Sequence, residues 1–354
     1  MTENTSQKTS SFFSRNSGLI IVILLLSALP FVVGFFEGAS FSQVLLNEGG
    51  TSKFVQGLLI EIFILALYAL SFDLIFGITG MLSFGHAMFF ASGAYLTGAL
   101  LKTFDMSLGM TLVWVFAAAI INAFLFGIVL PRVQGITFAL VTLGLGSVFH
   151  ILVMSRELGE YTGADVGLQG IPSPDFLNPA TERLRFYFIA MAIMFLVFLF
   201  YKRFVTSPTG RVCIAIRENE GRAKMLGYNT FTFKLTALII SSLTAALAGA
   251  IHALYQPIVS PHVAGMSYTV VALLVMLIGG VGTLDGALIG AAVYRLLDFG
   301  LRRYLGESAS FINGAVYILI VLFIPYGIVG TLRMKSFNIK QGWAQLIGRF
   351  SKDQ

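Results

Sequence analysis

The side chains that could support acid–base, nucleophilic or metal chemistry are few in this sequence, and they are scattered. The only cysteine, Cys213, excludes a cysteine-based zinc site. Four histidines share no metal-ligand spacing: His86, His150, His252 and His262. The sequence has no G-x-x-x-x-G-K-[ST] phosphate loop, no H-E-x-x-H pair and no G-x-S-x-G elbow. We therefore predict a protein that is not an enzyme and has no metal site, no cofactor and no ATP-binding loop of its own.

A few ionisable residues lie instead within long apolar stretches, where charge is unfavourable: Glu61, Asp73, His86, Arg295 and Asp298. A charge at the centre of a membrane helix costs about 2.5–3.5 kcal/mol. The i,i+3 spacing of Arg295 and Asp298 and the i,i+4 spacing of Asp298 and Arg302 predict local neutralisation on one helix face. No stretch has a row of carboxylates or arginines, which argues against a proton pump or a voltage sensor.

The composition indicates the kind of element that must position these residues. Of 354 residues, 23 are Lys or Arg and 17 are Asp or Glu, so 11% are charged, whereas 56% are hydrophobic. A soluble domain has roughly 25% charged residues. This composition excludes an ordinary cytosolic enzyme, a disordered chain and a nucleic-acid-binding protein. The net charge of +6 fits contact with membrane lipid.

The apolar stretches predict an all-α, polytopic transmembrane helical bundle of about ten spans. Each is close to the roughly 20 residues that a bilayer requires, and they lie near 18–36, 55–76, 80–101, 108–130, 135–154, 186–201, 233–254, 267–284, 286–304 and 311–331. The first is too long for a signal-peptide core and is expected to be retained. Either 80–101 or 286–304 could be broken or re-entrant, which would leave eight or nine full spans. The predicted units are a tail at 1–17, a membrane domain at 18–333 and a tail at 334–354.

Loop charges predict the orientation. The segment 202–224 has six basic residues against two acidic ones, whereas 155–184 has two basic residues against five acidic ones. The basic segment is expected in the cytoplasm, and ten spans then place both termini there. The pair Arg302-Arg303 is discordant with this arrangement.

Two glycine-rich patches, 77–87 and 279–287, each follow an apolar span and lead into a helix of small residues. Tight helix packing explains such glycines in most membrane proteins, but helices that break or slide would need them too. The spacing of about 200 residues hints at a parallel internal repeat with a transport route at its interface. Asp73 is expected to accept hydrogen bonds from backbone N–H groups freed near Gly77–Gly80. His86 could line the route or form a hydrogen bond in the core.

The predicted cytoplasmic loop 202–232 contains a short amphipathic helix at 212–226. Val212, Ile216, Ala223 and Leu226 fall on or near one face, and Gly227 is expected to end the helix. Such a helix could dock into a partner's groove. It could equally be a solvated loop that sets topology, or a helix on anionic lipid.

Three motifs resemble the LivM family of branched-chain amino acid ABC importer permeases, over about residues 60–330. They are Ser71–Leu74 with Gly80–Ala87 and Gly93–Tyr95, then Ala215–Glu220 with Ala223 and Leu226–Asn229, and finally Val275–Gly286. The loop departs from the EAA-type motif of many other ABC importers, because Gly221-Arg222 follow Glu220 and no Leu-Pro closes it.

The resemblance implies a bacterial inner-membrane subunit that moves branched-chain amino acids by alternating access. Its partners would be a homologous second permease, two ATP-binding subunits and a periplasmic substrate-binding protein. Coupling to the ATPase would fall to Arg217, Glu218, Asn219, Glu220, Ala223, Leu226 and Gly227. The route would be lined by Asp73, Gly77, Gly80, Ser83, Gly85, His86, Gly279, Gly280, Gly282 and Gly286. Permeases for urea or short amides share these motifs closely. A stand-alone carrier or channel is the alternative from another class, and a membrane-embedded enzyme is a more distant one.

Overall fold

The computed structural model describes residues 10–38, 43–44 and 50–333. The predicted tail at 334–354 lies outside these residues, as does 1–9 of the predicted N-terminal tail. The first helix already begins at Ser10, inside that tail.

The described chain is almost entirely helical. Nearly every long segment is apolar enough to lie in lipid, where a helix satisfies the backbone hydrogen bonds within the segment itself. The helices of seven or more residues are α1 (Ser10–Phe36), α2 (Gly50–Asp73), α3 (Ala87–Lys102), α4 (Leu108–Gly127), α5 (Ile136–Met154), α6 (Arg183–Thr206), α7 (Pro208–Met225), α8 (Thr230–Tyr255), α9 (Met266–Gly279), α10 (Leu284–Leu305), α11 (Ala309–Phe323) and α12 (Gly327–Arg333). A single helical turn at Gly159–Thr162 lies in the loop after α5. A π-helical turn at Leu74–Ile78 extends α2. Two short antiparallel strands, β1 (Leu168–Gln169) and β2 (Ile258–Val259), join the loops after α5 and α8.

Fewer segments of the described chain than the ten predicted are long and apolar enough to be spans, and the upper count of eight agrees with the expectation of eight or nine. Within the described residues, seven helical segments are long and apolar enough to cross a membrane, or eight if α9 and α10 together form one bent span. The segment 80–101 is not one continuous span, because the chain is irregular until α3 starts at Ala87, which agrees with the expectation that it could be broken. The 16 residues of α3 rise only about 24 Å, less than the roughly 30 Å hydrocarbon core. A bend of 111° separates α9 from α10. The segment 286–304 is itself continuous within α10, so the broken or re-entrant element is the pair of α9 and α10 and not this segment alone.

The core is built around α2, which is buried along most of its length. Helix α8 packs closely on α3, because Gly93 lies against the Ala246 backbone and Gly249 against the Phe90 carbonyl, where any Cβ would collide. The expectation of tight glycine packing is therefore confirmed at this interface. Helices α4 and α5 instead expose large apolar side chains, such as Trp114 and Ile151, as a surface in contact with lipid tails would.

Candidate functional site

The three sequence motifs meet in space at one end of the bundle, where α7 lies. Ser207 begins α7 by accepting a hydrogen bond from the Gly210 N–H at 3.2 Å, and Pro208 occupies its first turn. The helix therefore starts four residues earlier than the predicted 212–226. Gly227 ends it with φ +86°, a conformation that glycine adopts readily, as predicted.

A break at Asn219 divides α7 into two short helical pieces. The Asn219 backbone is extended (φ −160°, ψ 98°), and its side-chain oxygen accepts a hydrogen bond from the Arg222 N–H at 2.8 Å. Asn219 is thus the N-cap of the second piece. Sequence reasoning missed this break, although an Asn in the middle of a short helix was a signal for it.

Arg217 connects α7 to both glycine-rich patches. Its guanidinium donates a hydrogen bond to the Gly77 carbonyl at the end of the π-helical turn. A Cβ at Gly80 would lie 3.0 Å from the Arg217 Cγ, and a Cβ at Gly282 would lie 2.8 Å from the guanidinium. The absence of side chains at Gly80 and Gly282 allows both patches to approach Arg217.

Asp73 joins the two patches directly. This fully buried carboxylate accepts a hydrogen bond from the Gly282 N–H at 2.7 Å. The expectation that it binds freed backbone N–H groups is correct in kind, but the donor comes from the distant patch and not from the segment Gly77–Gly80. Gly77 lies between them, since a Cβ there would collide with the Asp73 carboxylate and stand 2.6 Å from the Gly282 nitrogen.

Glu220 attaches the second piece of α7 to α8. Its carboxylate pairs with Lys234 and with Lys224 at 3.1 Å, and it accepts a hydrogen bond from Thr230 at 3.0 Å. Burial by itself raises the pKa of Glu220, but these lysine contacts outweigh it, so the pKa lies below its ordinary value. The carboxylate is therefore a charged link between the two helices.

The apolar residues of α7 divide into a buried set and an exposed set. Ile216 and Ala223 are buried, whereas Leu226 is 72% exposed and the neighbouring Met225 is 83% exposed. The prediction that Leu226 shares a face with Ile216 and Ala223 is wrong, because Leu226 is the C-cap residue, where the helix ends before the turn at Gly227. Glu218 is also exposed. The second piece therefore presents an apolar tip to its surroundings.

The remaining predicted route residues serve packing in this conformation. Ser83 and His86 are buried, and His86 forms a 2.8 Å hydrogen bond to Ser71 and contacts the ring of Tyr68. Gly85 packs against the Thr142 backbone of α5. These contacts favour the core role for His86 over a position on an open route.

The late patch forms the sharp turn between α9 and α10. Gly280 and Gly282 have φ values of +120° and +74°, which disfavour other residues. Gly279 lies against the Gly286 backbone, where a Cβ would collide. Both the turn and the close helix crossing therefore depend on these glycines.

A second polar centre lies away from α7, among α2, α8 and α10. Arg295 pairs with Asp298 at 2.9 Å and Asp298 with Arg302 at 2.8 Å, which confirms the predicted pairs on one helix face. Arg295 also pairs with Glu61 of α2. The pair between Arg295 and Glu61 was not predicted, because the two residues are 234 positions apart and no local pattern connects them. A cavity of about 220 Å³ opens beside this cluster.

Comparison with known proteins finds relatives among membrane permeases. A family model described as the permease component of branched-chain amino acid transport systems matches residues 54–324. The high-affinity branched-chain amino acid transport permease LivM of Salmonella typhimurium is 26% identical over 79% of this chain and 70% of its own length. LivH of the same organism is 26% identical over 75% of this chain and 91% of its own.

A probable branched-chain amino acid transport permease LivM of Methanocaldococcus jannaschii is 30% identical over 46% of this chain and 52% of its own length. No solved structure matches the chain. The family match covers most of the sequence, including all three motifs, and the seven or eight apolar segments are those of a multi-pass membrane protein, although the first, Gly18–Phe36, precedes the matched residues. The chain therefore belongs to the permease-component family of branched-chain amino acid transport systems.

Proposed function

We propose that this chain is one permease subunit of an ATP-binding cassette importer that moves branched-chain amino acids across the inner membrane by alternating access. The observation that carries the proposal is the meeting of α7 with both glycine-rich patches through Arg217. The family match supplies the substrate class. The chain performs no chemistry itself, and ATP hydrolysis belongs to partner subunits.

The apolar tip of α7 is the proposed contact with an ATP-binding subunit. Met225 and Leu226 are exposed, yet they share a helix with Arg211, Arg222 and Lys224, whose charges exclude it from the hydrocarbon core. An amphipathic helix in this setting fits a groove on a soluble partner. The basic charge supports a cytoplasmic position for α7, and an even number of spans would then put both termini on that side.

Two links can carry a displacement of α7 into the bundle. Arg217 holds the Gly77 carbonyl and lies beside Gly282, so it acts on the ends of α2 and α9 together. The ion pair between Glu220 and Lys234 acts on α8. Movement of α7 would therefore shift three neighbouring helices at once, which is what switching access between two sides requires.

The other partners follow from the same proposal. A homologous second permease would complete the route, a periplasmic binding protein would deliver substrate to the loops of the opposite face, and lipid would cover α4 and α5. Similarity to both LivM and LivH fits assembly from two related permeases.

The test is ATP-driven uptake of L-leucine by proteoliposomes that contain this chain, the second permease, both ATP-binding subunits and the binding protein. Uptake should require every component. Leu226→Asp should abolish it by placing a charge in the apolar contact, whereas Arg211→Gln, an exposed change outside the tip, should preserve it. Leucine transport by this chain alone would instead establish a stand-alone carrier. Full uptake by the Leu226→Asp complex would refute the docking role of the tip.

A further inference from the structure

The charge cluster between α2 and α10 is larger than local neutralisation requires. Glu61 lies near the middle of the 29-residue apolar segment Gly50–Ile78, and Arg295 lies midway along α10. The ions alternate in sign from Glu61 through Arg295 and Asp298 to Arg302. The cluster has no net charge, yet four ionised groups between two apolar helices cost free energy. Such a cost points to a functional role for these residues.

The cavity beside the cluster combines both charges with an apolar wall. Its lining includes the charged ends of Glu61 and Arg295 as well as Ile64, Leu65 and Val271. Its volume of about 220 Å³ is below the roughly 300–1,000 Å³ of sites for drug-sized ligands. The cavity therefore suits a small molecule with a charged end and an apolar end.

A second, wider cavity leads toward the first. It has a volume of about 610 Å³ and is lined by the loop segments 171–173 and 178–180 and by Arg183. Glu61 and Gln256 line both cavities, and a hydrogen bond of 3.3 Å joins their side chains. These two residues therefore form the boundary between an outer vestibule and the inner cavity.

We propose that the inner cavity is a binding site for a zwitterionic amino acid with an apolar side chain, on the way through the permease. The contacts of Arg295 with Glu61 and Asp298 use three of its five N–H groups, which leaves two for a ligand carboxylate among the contacts of the described residues. The Glu61 oxygen that accepts from Gln256 retains a lone pair for the ligand ammonium.

The neutrality of the cluster sets the selectivity. A zwitterion adds no net charge to the site, and its two ends match Arg295 and Glu61. A monovalent anion or cation would leave one charge of the cluster without compensation in an apolar environment, which is strongly unfavourable. The apolar side chain would lie against Ile64, Leu65 and Val271. The inference rests on the proposed function, since it identifies where its substrate class binds.

The test uses thiol protection in the assembled transporter. Cys213 is buried and is replaced by Ser, and Val271→Cys places a single thiol on this chain in the cavity wall. The rate of its modification by a methanethiosulfonate reagent is followed by mass spectrometry of this chain. L-leucine should slow it at least threefold, whereas isocaproate and isoamylamine, which each have one of the two charges, should not. Equal protection by all three, or by none, would overturn the proposal.

Two further arms separate a ligand site from a merely structural ion pair. Arg295→Gln in the Val271→Cys background should remove protection by leucine, and Arg185→Gln, which breaks an exposed ion pair with Glu182, should retain it. Undiminished protection in Arg295→Gln would overturn the site. Failure of the proposed function would show differently, as absence of ATP-driven leucine uptake by the wild-type complex.

Discussion

Replacing Arg217 by Gln tests the mechanical link between α7 and the transport domain. The change removes a charge-assisted hydrogen bond to the Gly77 carbonyl and the guanidinium that lies beside Gly282. A hydrogen bond that involves a charged group contributes about 1.5–3 kcal/mol. Arg217 is largely exposed, so the lower end applies, and about 1.4 kcal/mol corresponds to a tenfold change in an equilibrium. The free energy that couples α7 to α2 and α9 should therefore fall by about 1.5 kcal/mol, which is close to a tenfold change.

The assay compares ATP hydrolysis and leucine uptake in the same proteoliposomes. The complex with Arg217→Gln should hydrolyse ATP at a rate near that of the wild type, because the apolar tip at Met225 and Leu226 is unchanged, while uptake per ATP falls about tenfold. Arg222→Gln, an exposed change in the second piece of α7, is the matched control and should leave the ratio unchanged. An unaltered ratio in Arg217→Gln would refute the view that α7 drives the helices through this contact.

Three further outcomes follow from the contacts. Gly77→Ala should destabilise the purified complex by about 1–3 kcal/mol in thermal unfolding, because its Cβ would collide between the two patches. Gly144→Ala, which has open space inside α5, should be neutral or slightly stabilising, and a Gly77→Ala complex as stable as the wild type would contradict the close approach. Because the folded-state pKa of Glu220 is lowered, the stabilisation from its ionised carboxylate is complete above the ordinary pKa of 4.5 and is lost as pH falls below that value. The difference in melting temperature between wild type and Glu220→Gln should therefore shrink under acid, and a constant difference would argue against the charged link. Glu61→Gln or Arg295→Gln alone should each cost about 1–3 kcal/mol in thermal unfolding by removing the ion pair between α2 and α10, and the double variant should cost less than the sum. Additive losses would show that the two residues do not pair.

Features that depend on residues close together in the sequence could be predicted without the structure. Composition and hydropathy predicted an all-α membrane protein and located most of its spans, because a bilayer imposes its thickness on every segment. The stop at Gly227 and the pairs around Asp298 could also be predicted, since capping and i,i+3 or i,i+4 contacts are local. The motifs were recognised as separate segments, however, and their spacing contained no information about contact between them.

The tertiary structure alone decided how those segments meet. Asp73 contacts Gly282 and Arg217 contacts Gly77 only because glycines allow backbones to approach where helices cross, and helix crossing in lipid has no periodic signature in the sequence. The pair between Glu61 and Arg295 arises in the same way, from two helices brought together by packing. Sequence thus determined which segments enter the membrane and where local turns fall, whereas packing determined which distant polar groups share one site.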